Sequence, residues 1–179
     1  MGHKHEKSDL VRAAVEAAVE DGLSQLTFGR LAKRLGISDR MIVYYFPTKD
    51  DLIGEVLFAM GAELQMLLER AFGTERLSPD ELGRRAWPAL TTRNADRVFG
   101  VFFEVAGQAA AGIEPYKKFA PMLIDGWIQW MLPFIEGSNK DVRRKRALAL
   151  TAQLDGLLLM RQLSGASAAN TAAAQLGFT

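Results

Sequence analysis

The sequence contains no cysteine, and its only two histidines, His3 and His5, lie within the first five residues. The lack of cysteine excludes disulfide bonds, a thiolate nucleophile, thiol redox sensing and a zinc site built from cysteines. Because chain ends are usually poorly ordered, a histidine base or histidine metal site inside the fold is not expected either. No glycine-rich phosphate-binding loop occurs. We therefore expect a protein that is not an enzyme and that holds no cofactor or metal.

Long hydrophobic runs are also missing. No stretch of about 18 apolar residues occurs, so no membrane-spanning helix is predicted. The first residues are polar and are not followed by the apolar segment of a secretory signal, which favours a cytoplasmic protein. The 179 residues, 49% hydrophobic and 24% charged, are typical of a globular chain that can build its own core.

Net charge is small, at +1, but the charges are unevenly distributed. Residues 22–49 carry five basic residues and a single acid, Asp39, whereas residues 51–136 are acidic and residues 137–179 are basic. A basic segment of this kind suits the phosphate backbone of a nucleic acid. A solvated protein face can have the same composition, so charge alone leaves both interpretations open.

Apolar residues recur at helical spacing along nearly the whole chain, and no alternating strand pattern is found. The predicted fold is therefore all-α. Short helices are expected near residues 8–21, 27–35 and 38–45, and longer ones near 49–70, 96–111, 115–135, 138–163 and 168–176. A further helix from residue 80 is expected to end near residue 86, where Trp87 and Pro88 follow. The expected N-terminal caps are Ser8 or Asp9, Thr27, Ser38, Thr48 and Ser138.

Residues 27–45 fit a helix-turn-helix. Ala32 is small where two helices must approach closely, and Gly36 stands in the turn, where a positive φ is easiest for glycine. Apolar residues at positions 31, 35, 37 and 42 can hold the two helices together. The second helix opens with Ser38, so its N-terminal end can point into a major groove. The same spacing also fits a plain helical hairpin inside a bundle.

Two strings of residues strengthen the first interpretation. The string LAKRLGIS at residues 31–38 and the string YYFPTKDDL at residues 44–52 resemble the tetracycline-repressor (TetR) family of bacterial transcription regulators. The resemblance covers about residues 8–57, and the remainder resembles the family only in being helical and of suitable length. It implies a helix-turn-helix DNA-binding domain at residues 1–50 and a helical ligand-binding and dimerisation domain at residues 51–179.

The resemblance also implies a function. Members of the family typically bind palindromic operators as homodimers and release them when a small molecule enters the C-terminal domain. We therefore expect a sequence-specific transcription regulator, in the form of a ligand-released repressor of a double-stranded DNA operator. The alternative is a helical small-molecule carrier whose N-terminal hairpin is purely structural. A large ratio of operator affinity to random-sequence affinity distinguishes the two.

The family's DNA contacts can be transferred to eight positions of this chain. Thr27 matches a cap that contacts phosphate, and Lys49 matches a lysine that reaches phosphate at the start of the fourth helix. The other six positions are the leading end of the recognition helix, which reads base edges, and two tyrosines that touch phosphate or a thymine methyl. These six are Ser38, Asp39, Arg40, Met41, Tyr44 and Tyr45.

Arg40 is the leading candidate for a base contact because arginine can donate two hydrogen bonds to guanine; a phosphate contact is the alternative. Three positions depart from the family pattern. Val43 replaces a tyrosine that contacts phosphate, Tyr45 replaces a histidine, and Asp39 places an acid opposite an acidic ligand. Asp39 can accept from a cytosine amino group, or it can pair with Arg40 or Arg34 and position that side chain.

The C-terminal two-thirds of the chain are rich in aromatic residues and methionine, which form either ordinary core or a pocket for a small apolar or aromatic effector. Asp155 lies among leucines and needs a partner if it is buried. An arginine such as Arg97 or Arg161, or a cationic ligand, can fill that role. The candidate ligand-binding residues are Phe99, Phe103, Trp127, Trp130, Met131 and Asp155.

The last long helix is apolar around most of its circumference, so it must be buried on both sides. We predict that its second side packs against a partner chain, which gives a homodimer through residues 142–163 and 168–176. The basic run at residues 143–146 is expected to be a solvated face that pairs with the acidic middle segment. A second DNA-binding surface is the alternative.

Overall fold

The computed structural model describes residues 6–179, so His3 and His5 lie outside the described residues. The described chain forms nine α-helices and one short 3-10 helix, and its only β-type pairing is an isolated bridge between Leu77 and Ile135. The all-α prediction is confirmed. None of the helices in this part of the chain is long and apolar enough to cross a membrane.

The helices follow one another with short connections. They are α1 Lys7–Asp21, α2 Phe28–Leu35, α3 Asp39–Tyr45, α4 Lys49–Phe72, α5 Pro79–Leu90, α6 Arg93–Ala110, α7 Tyr116–Met131, α8 Lys140–Ser164 and α9 Ala166–Gln175. The 3-10 helix, Leu23–Gln25, lies between α1 and α2.

The chain packs into two compact units. The first contains the described residues up to Ala62 together with Gly100–Ala120, and the second contains Glu63–Phe99 and Pro121–Thr179. Helices α4, α6 and α7 therefore each contribute residues to both units. The functional boundary expected after residue 50 stays a prediction.

The core of the first unit joins α1, α2 and α3. Leu10, Leu31 and Ile42, one from each helix, have no solvent exposure. The ring of Phe119, in α7, lies against Gly54 of α4, where a Cβ atom would be only 3.2 Å from the ring. The missing side chain at residue 54 thus lets an aromatic ring approach the backbone of α4 closely.

In the second unit, α8 packs against α5 and α9. Trp87 of α5 is buried and donates its indole N–H to Asn170 Oδ1 of α9 at 3.2 Å. Phe178, which follows α9, is 2% exposed, and its ring covers Gly83 of α5. These contacts hold α9 and the residues after it against the body of the unit.

Most of the predicted helix boundaries are confirmed within a few residues, but two of the predicted caps are wrong. The N-cap residue of α1 is Glu6, and not Ser8 or Asp9, so the helix begins earlier than expected. The cap of α8 is Asn139, whose Oδ1 accepts a first-turn backbone N–H at 2.9 Å, and not Ser138. Asparagine and serine cap helices about equally well, so the choice between neighbours is made by the geometry of the preceding loop.

Two prolines act differently from the prediction. Pro88 does not end α5, which continues to Leu90. The reason is that Pro88 lies in the last turn with an exposed ring, where its missing N–H removes a single intrahelical bond. Helix α7 ends at Met131, short of the expected residue 135, because Pro133 disfavours a helical conformation in the residue before it.

Candidate nucleic-acid interface

The start of α2 and the turn after it have the predicted geometry. Thr27 is the N-cap residue, and its Oγ1 accepts the Arg30 N–H at 3.2 Å. Gly36 ends the helix in the left-handed conformation, with φ 67°, and the Ile37 N–H donates to Ala32 O at 3.1 Å. The predicted cap of α2 and the predicted glycine turn are therefore confirmed.

Helix α3 presents one apolar edge to the core and a polar and aromatic face to solvent. Ile42 is completely buried, as is Phe46 directly after the helix. Away from this edge the exposed side chains are those of Ser38, Asp39, Arg40, Met41, Val43 and Tyr44. With 78% of its surface exposed, Tyr44 projects furthest of the large apolar residues on this face.

Ser38 and Tyr45 differ from the exposed side chains within α3. Ser38 is the N-cap residue of α3, but its side chain makes no capping hydrogen bond, so the hydroxyl stays available to a ligand. Tyr45 is half-buried and meets the edge of the Tyr44 ring, with centroids 5.1 Å apart and planes at 85°. Tyr45 therefore supports the more exposed Tyr44.

Arg34 forms ion pairs with two glutamates of α1 and does not pair with Asp39. Its guanidinium donates to Glu20 at 2.6 Å and to Glu16 at 3.5 Å. The hydrogen bond that Arg34 donates to Glu20 raises the pKa of Arg34 above its usual value. The carboxylate of Asp39 lies instead over α2, 3.5 Å from the position of a Cβ atom at Gly29. Positioning of Arg34 by Asp39 is thus not what the structure shows.

Arg40 is exposed and, among the residues that the structure describes, makes no hydrogen bond or ion pair. Its neighbour Asp39 is not paired with it either. An arginine without an internal partner in the first turn of an exposed helix can donate to an external acceptor without breaking an existing bond. The five donors of the guanidinium suit both a guanine edge and a phosphate.

Lys49 begins α4, and its backbone is fixed by the residues on either side. The Thr48 N–H and hydroxyl donate to Asp51 Oδ2 at 2.9 and 2.7 Å, and the Asp51 N–H donates to Thr48 Oγ1 at 3.1 Å. This is the predicted capping box. Lys49 itself is exposed, with no ion pair in the described part of the chain, so its ammonium can reach outward.

The aromatic residues and the methionine predicted to bind an effector are distributed over both units. In the second unit, Phe99 and Met131 are buried, while Trp127 and Trp130 are half-buried with ring centroids 4.9 Å apart. Trp130 donates its indole N–H to a glutamate of α4 at 2.9 Å. Phe103 belongs to the first unit and is half-buried. Their roles in ligand binding stay predictions.

Asp155 does not pair with Arg161. Arg161 donates to Asp96 of α6 through Nε at 2.5 Å and through Nη2 at 2.9 Å. Asp155 itself has no hydrogen-bond partner within residues 6–179, and burial raises its pKa to about 6. One turn earlier on the same face of α8, the Thr151 hydroxyl is buried and without a partner in the structure. The Thr151 hydroxyl is therefore an unsatisfied buried group, whereas Asp155, four residues further along α8, is half-buried.

Helix α8 has a second apolar face, as predicted. Its core face is buried, and large apolar residues lie exposed on the other side, with Leu163 as the extreme at 77%. The exposed large residues are Leu148, Leu159, Met160 and Leu163, with Leu176 directly after α9. Ala152 and Gly156, also exposed, lie between them and leave room for close helix packing.

The basic run at the start of α8 is bound within its own unit. Arg144 donates to Asp125 of α7 at 2.9 Å, and Lys145 pairs with an acid on its own helix at 2.9 Å. Arg143 and Arg146 donate to backbone carbonyls that precede the helix. These contacts agree with the interpretation as a paired, solvated face.

One contact near the helix-turn-helix was not predicted from the sequence. Glu104 of α6 accepts the backbone N–H groups of Leu23 and Ser24, the first two residues of the 3-10 helix, at 2.9 and 2.8 Å. Some 80 residues separate the partners, and an isolated glutamate in an apolar helix gives no signal of such a role.

No group of three or more histidine, cysteine, aspartate or glutamate side chains that could hold a metal ion is found among residues 6–179.

Comparison with known proteins agrees with this geometry. Residues 10–56, from the first turn of α1 into α4, match the family model described as bacterial regulatory proteins, tetR family. None of the curated protein sequences matches the chain significantly.

Solved structures of similar fold cover nearly the whole chain. A protein from Rhodococcus sp., assigned to the TetR-family transcriptional regulators, is 16% identical with a TM-score of 0.76, over 95% of this chain and 93% of its own. A TetR transcriptional regulator from Legionella pneumophila is 21% identical with a TM-score of 0.67, over 98% and 97%. The multidrug binding protein EbrR, complexed with imidazole, is 19% identical with a TM-score of 0.69, over 96% and 94%. At these identities the likeness shows the shared fold.

Proposed function

We propose that this chain, which belongs to the tetR family of bacterial regulatory proteins through residues 10–56 and has the fold of its regulators, is a ligand-released repressor. In this proposal it binds a palindromic operator in the cytoplasm as a homodimer, and an apolar or aromatic small molecule in the helical C-terminal domain weakens that binding. It carries out no reaction of its own.

The observation that carries the proposal is the exposed face of α3. Arg40, Met41 and Tyr44 project from a helix whose other edge is buried, and Arg40 has no partner among the described residues. Apolar and aromatic side chains at 40–78% exposure that lie together on one short helix are typical of a surface that contacts another molecule. In the proposal, Arg40 reads a guanine edge and Met41 or Tyr44 contacts a thymine methyl.

The surrounding groups are suited to hold the DNA backbone. The first-turn N–H groups of α2 and α3 carry partial positive charge that favours phosphate, with Thr27 and Ser38 as the hydroxyl-bearing caps. Lys49 supplies a full positive charge at the start of α4. Such contacts fix the register of the recognition helix on the duplex but carry no sequence information.

The second apolar face of α8 supports a homodimer. A contiguous row of exposed leucines with small residues between them is typical of a surface that packs against another helix. A regulator that binds as a two-fold dimer is expected to select a palindromic operator. By analogy with other helix-turn-helix dimers, the half-site centres are expected roughly 10–10.5 base pairs apart, or a multiple of that.

The C-terminal domain has chemistry suited to a small aromatic ligand. Trp127, Trp130 and their aromatic neighbours form a cluster of tilted rings in contact, and EbrR, whose fold is similar, has been solved with proflavin. In the proposal, the unpartnered carboxylate of Asp155 favours effectors that carry a positive charge. Direct binding of proflavin to the protein alone, followed by tryptophan fluorescence, tests this without interference from DNA, and Asp155→Asn is expected to weaken it about tenfold.

Selection of bound duplexes from a random DNA pool tests the proposed function. The proposal expects an enriched motif with two inverted half-sites. A helical carrier with a structural N-terminal hairpin would instead bind all sequences alike, with an affinity that falls steeply as salt increases. A single half-site without symmetry would contradict the homodimeric part of the proposal while leaving sequence-specific binding intact.

A further inference from the structure

A carboxylate from α6 holds the turn that leads into the helix-turn-helix. Glu104 Oε2 accepts the Leu23 N–H at 2.9 Å, and Glu104 Oε1 accepts the Ser24 N–H at 2.8 Å. Each carboxylate oxygen thus binds one of two successive backbone donors. Hydrogen bonds to an ionised acceptor are about twice as strong as neutral ones, so this pair is a firm link between distant parts of the first unit.

The turn has no other means of fixing these donors. The 3-10 helix Leu23–Gln25 begins after Gly22, which carries no side chain that could cap it. Gly22 also has φ 90°, a conformation that other residues rarely adopt, and a Cβ atom there would lie 3.4 Å from Glu104 Oε2. Glu104 therefore serves as the N-terminal cap of this turn, supplied from another helix.

The turn determines where α2 begins. Only Leu26, which is 3% exposed, and the cap residue Thr27 separate the 3-10 helix from α2. Helix α2 in turn packs against the recognition helix α3. A displacement of the Leu23 and Ser24 N–H groups therefore also displaces the start of α2. Loss of the two hydrogen bonds to Glu104 allows the start of α2 to adopt more than one position.

We propose that Glu104 is a positioning residue for DNA recognition: its carboxylate fixes the turn before α2 and so sets the operator affinity that α3 can reach. The inference rests on the proposed function as a DNA-binding regulator. Glu104 itself makes no contact with DNA in this account. Its loss is expected to weaken specific binding, which needs one placement of α3, while random-sequence binding, which tolerates many placements, changes little.

The test compares Glu104→Gln and Glu104→Ala with Asp21→Asn. The glutamine keeps one acceptor oxygen and its shape, whereas alanine removes both bonds. Asp21→Asn is the matched control, because it removes one negative charge beside the same turn from an exposed residue with no hydrogen bond in the described chain. For each full-length protein, affinity is measured for the duplex that the wild type selects from a random pool and for a scrambled duplex. Amide hydrogen exchange at Leu23 and Ser24 reports the turn itself.

The expected result is a graded loss of operator affinity, about threefold for glutamine and about tenfold for alanine, with faster exchange at both amides. Scrambled-duplex affinity should match that of Asp21→Asn. Faster exchange with unchanged operator affinity would overturn the inference, since Glu104 would then only stabilise the turn, and so would an equal loss on both duplexes. If the alanine variant fails to fold, the glutamine variant decides alone. A wild type without preference for any duplex would refute the proposed function and this inference together.

Discussion

The ring of Phe178 covers the α-carbon of Gly83, so that the residues after α9 close over a helix position that has no side chain. A methyl group at residue 83 would overlap the ring carbons directly. Beside this contact, the Arg84 guanidinium donates a hydrogen bond to Gly177 O at 3.2 Å. Phe178 is almost completely buried. The packing of the second unit thus depends on a glycine that helix propensity alone would disfavour.

Gly83→Ala is therefore expected to destabilise the protein by about 1–3 kcal/mol, because the ring must leave its site or the helix must move. Gly126→Ala in α7 is the matched control, since nothing lies within 4 Å of a Cβ atom there. That change should stabilise the protein by roughly 0.5–1 kcal/mol through helix propensity. Urea unfolding measures both, and destabilisation of equal size in the two variants would contradict the account.

The ion pair between Asp96 and Arg161 should contribute measurably to stability. The Arg161 side chain is only 13% exposed and also donates to Thr91 O, so Asp96→Asn leaves a buried guanidinium without its counter-charge. We expect a loss of about 2 kcal/mol in urea unfolding. Lys145→Gln, which breaks an ion pair whose lysine is 75% exposed, should change stability by less than about 0.5 kcal/mol. Similar losses in the two variants would show that burial does not set the strength of the pair.

Asp155 should make stability depend on pH. Burial raises its pKa in the folded state to about 6, from an ordinary value of 3.8, so the folded protein holds this proton more tightly than the unfolded chain. Stability is then lost as pH rises from about 4 to 6 and stays lost above that range.

Asp155→Asn is accordingly expected to stabilise the protein at pH 8, by up to about 3 kcal/mol, and to have little effect near pH 3.5. Thermal unfolding at both pH values and at one fixed protein concentration measures the difference. Glu75→Gln, in an exposed loop, serves as the control for the loss of one carboxylate from the surface. A stabilisation by Asp155→Asn that is the same at pH 3.5 and pH 8 would contradict the burial of this carboxylate.

Arg40 and Lys49 should affect DNA binding in different ways. Arg40→Ala is expected to lower affinity for the selected duplex by about 1–3 kcal/mol per half-site and to relax preference at one base pair of each half-site, because a base contact is lost there. Lys49→Ala should weaken binding to all sequences alike and reduce the slope of log K against log salt by about 0.9 per protomer, or about 1.8 for the dimer. Salt titrations on selected and scrambled duplexes separate the two effects, and a uniform loss for Arg40→Ala would assign Arg40 to phosphate.

The exposed face of α8 should hold the dimer together. Leu163→Glu is expected to weaken dimerisation at least about tenfold without unfolding the chain, because Leu163 is already 77% exposed within one chain. Met122→Glu in α7, also at an exposed apolar position, is the control that should leave the mass unchanged. Sedimentation over a range of concentrations measures the mass. A wild type that stays monomeric at every concentration would contradict the dimer directly.

The sequence predicted the local features well because they depend on neighbouring residues. The Thr27 cap, the left-handed Gly36 and the capping box of Thr48 and Asp51 each involve residues at most a few positions apart, and all three are present. The pairing of Asp155 with Arg161 was mispredicted because Arg161 pairs with Asp96 of α6 instead. Spacing along the sequence gives no information on which of the two acids lies closer to the arginine in space.

Contacts between distant segments were also missed, because spacing along the sequence does not show which segments meet in space. Nothing near Glu104 in the sequence indicates a bond to a turn 80 residues earlier, and nothing near Phe178 indicates that it covers Gly83. The eight predicted DNA-contacting positions were found through the family resemblance, and the structure supplies their exposure.

The most direct test of the central claim is the ratio of affinities for the selected duplex and for random DNA at physiological salt. A sequence-specific regulator that reads bases through α3 should bind its selected duplex at least about 10³-fold more tightly than random DNA, with most of the ratio lost in a variant that combines Arg40→Ala and Tyr44→Ala. A ratio near one in the wild-type protein would contradict the account.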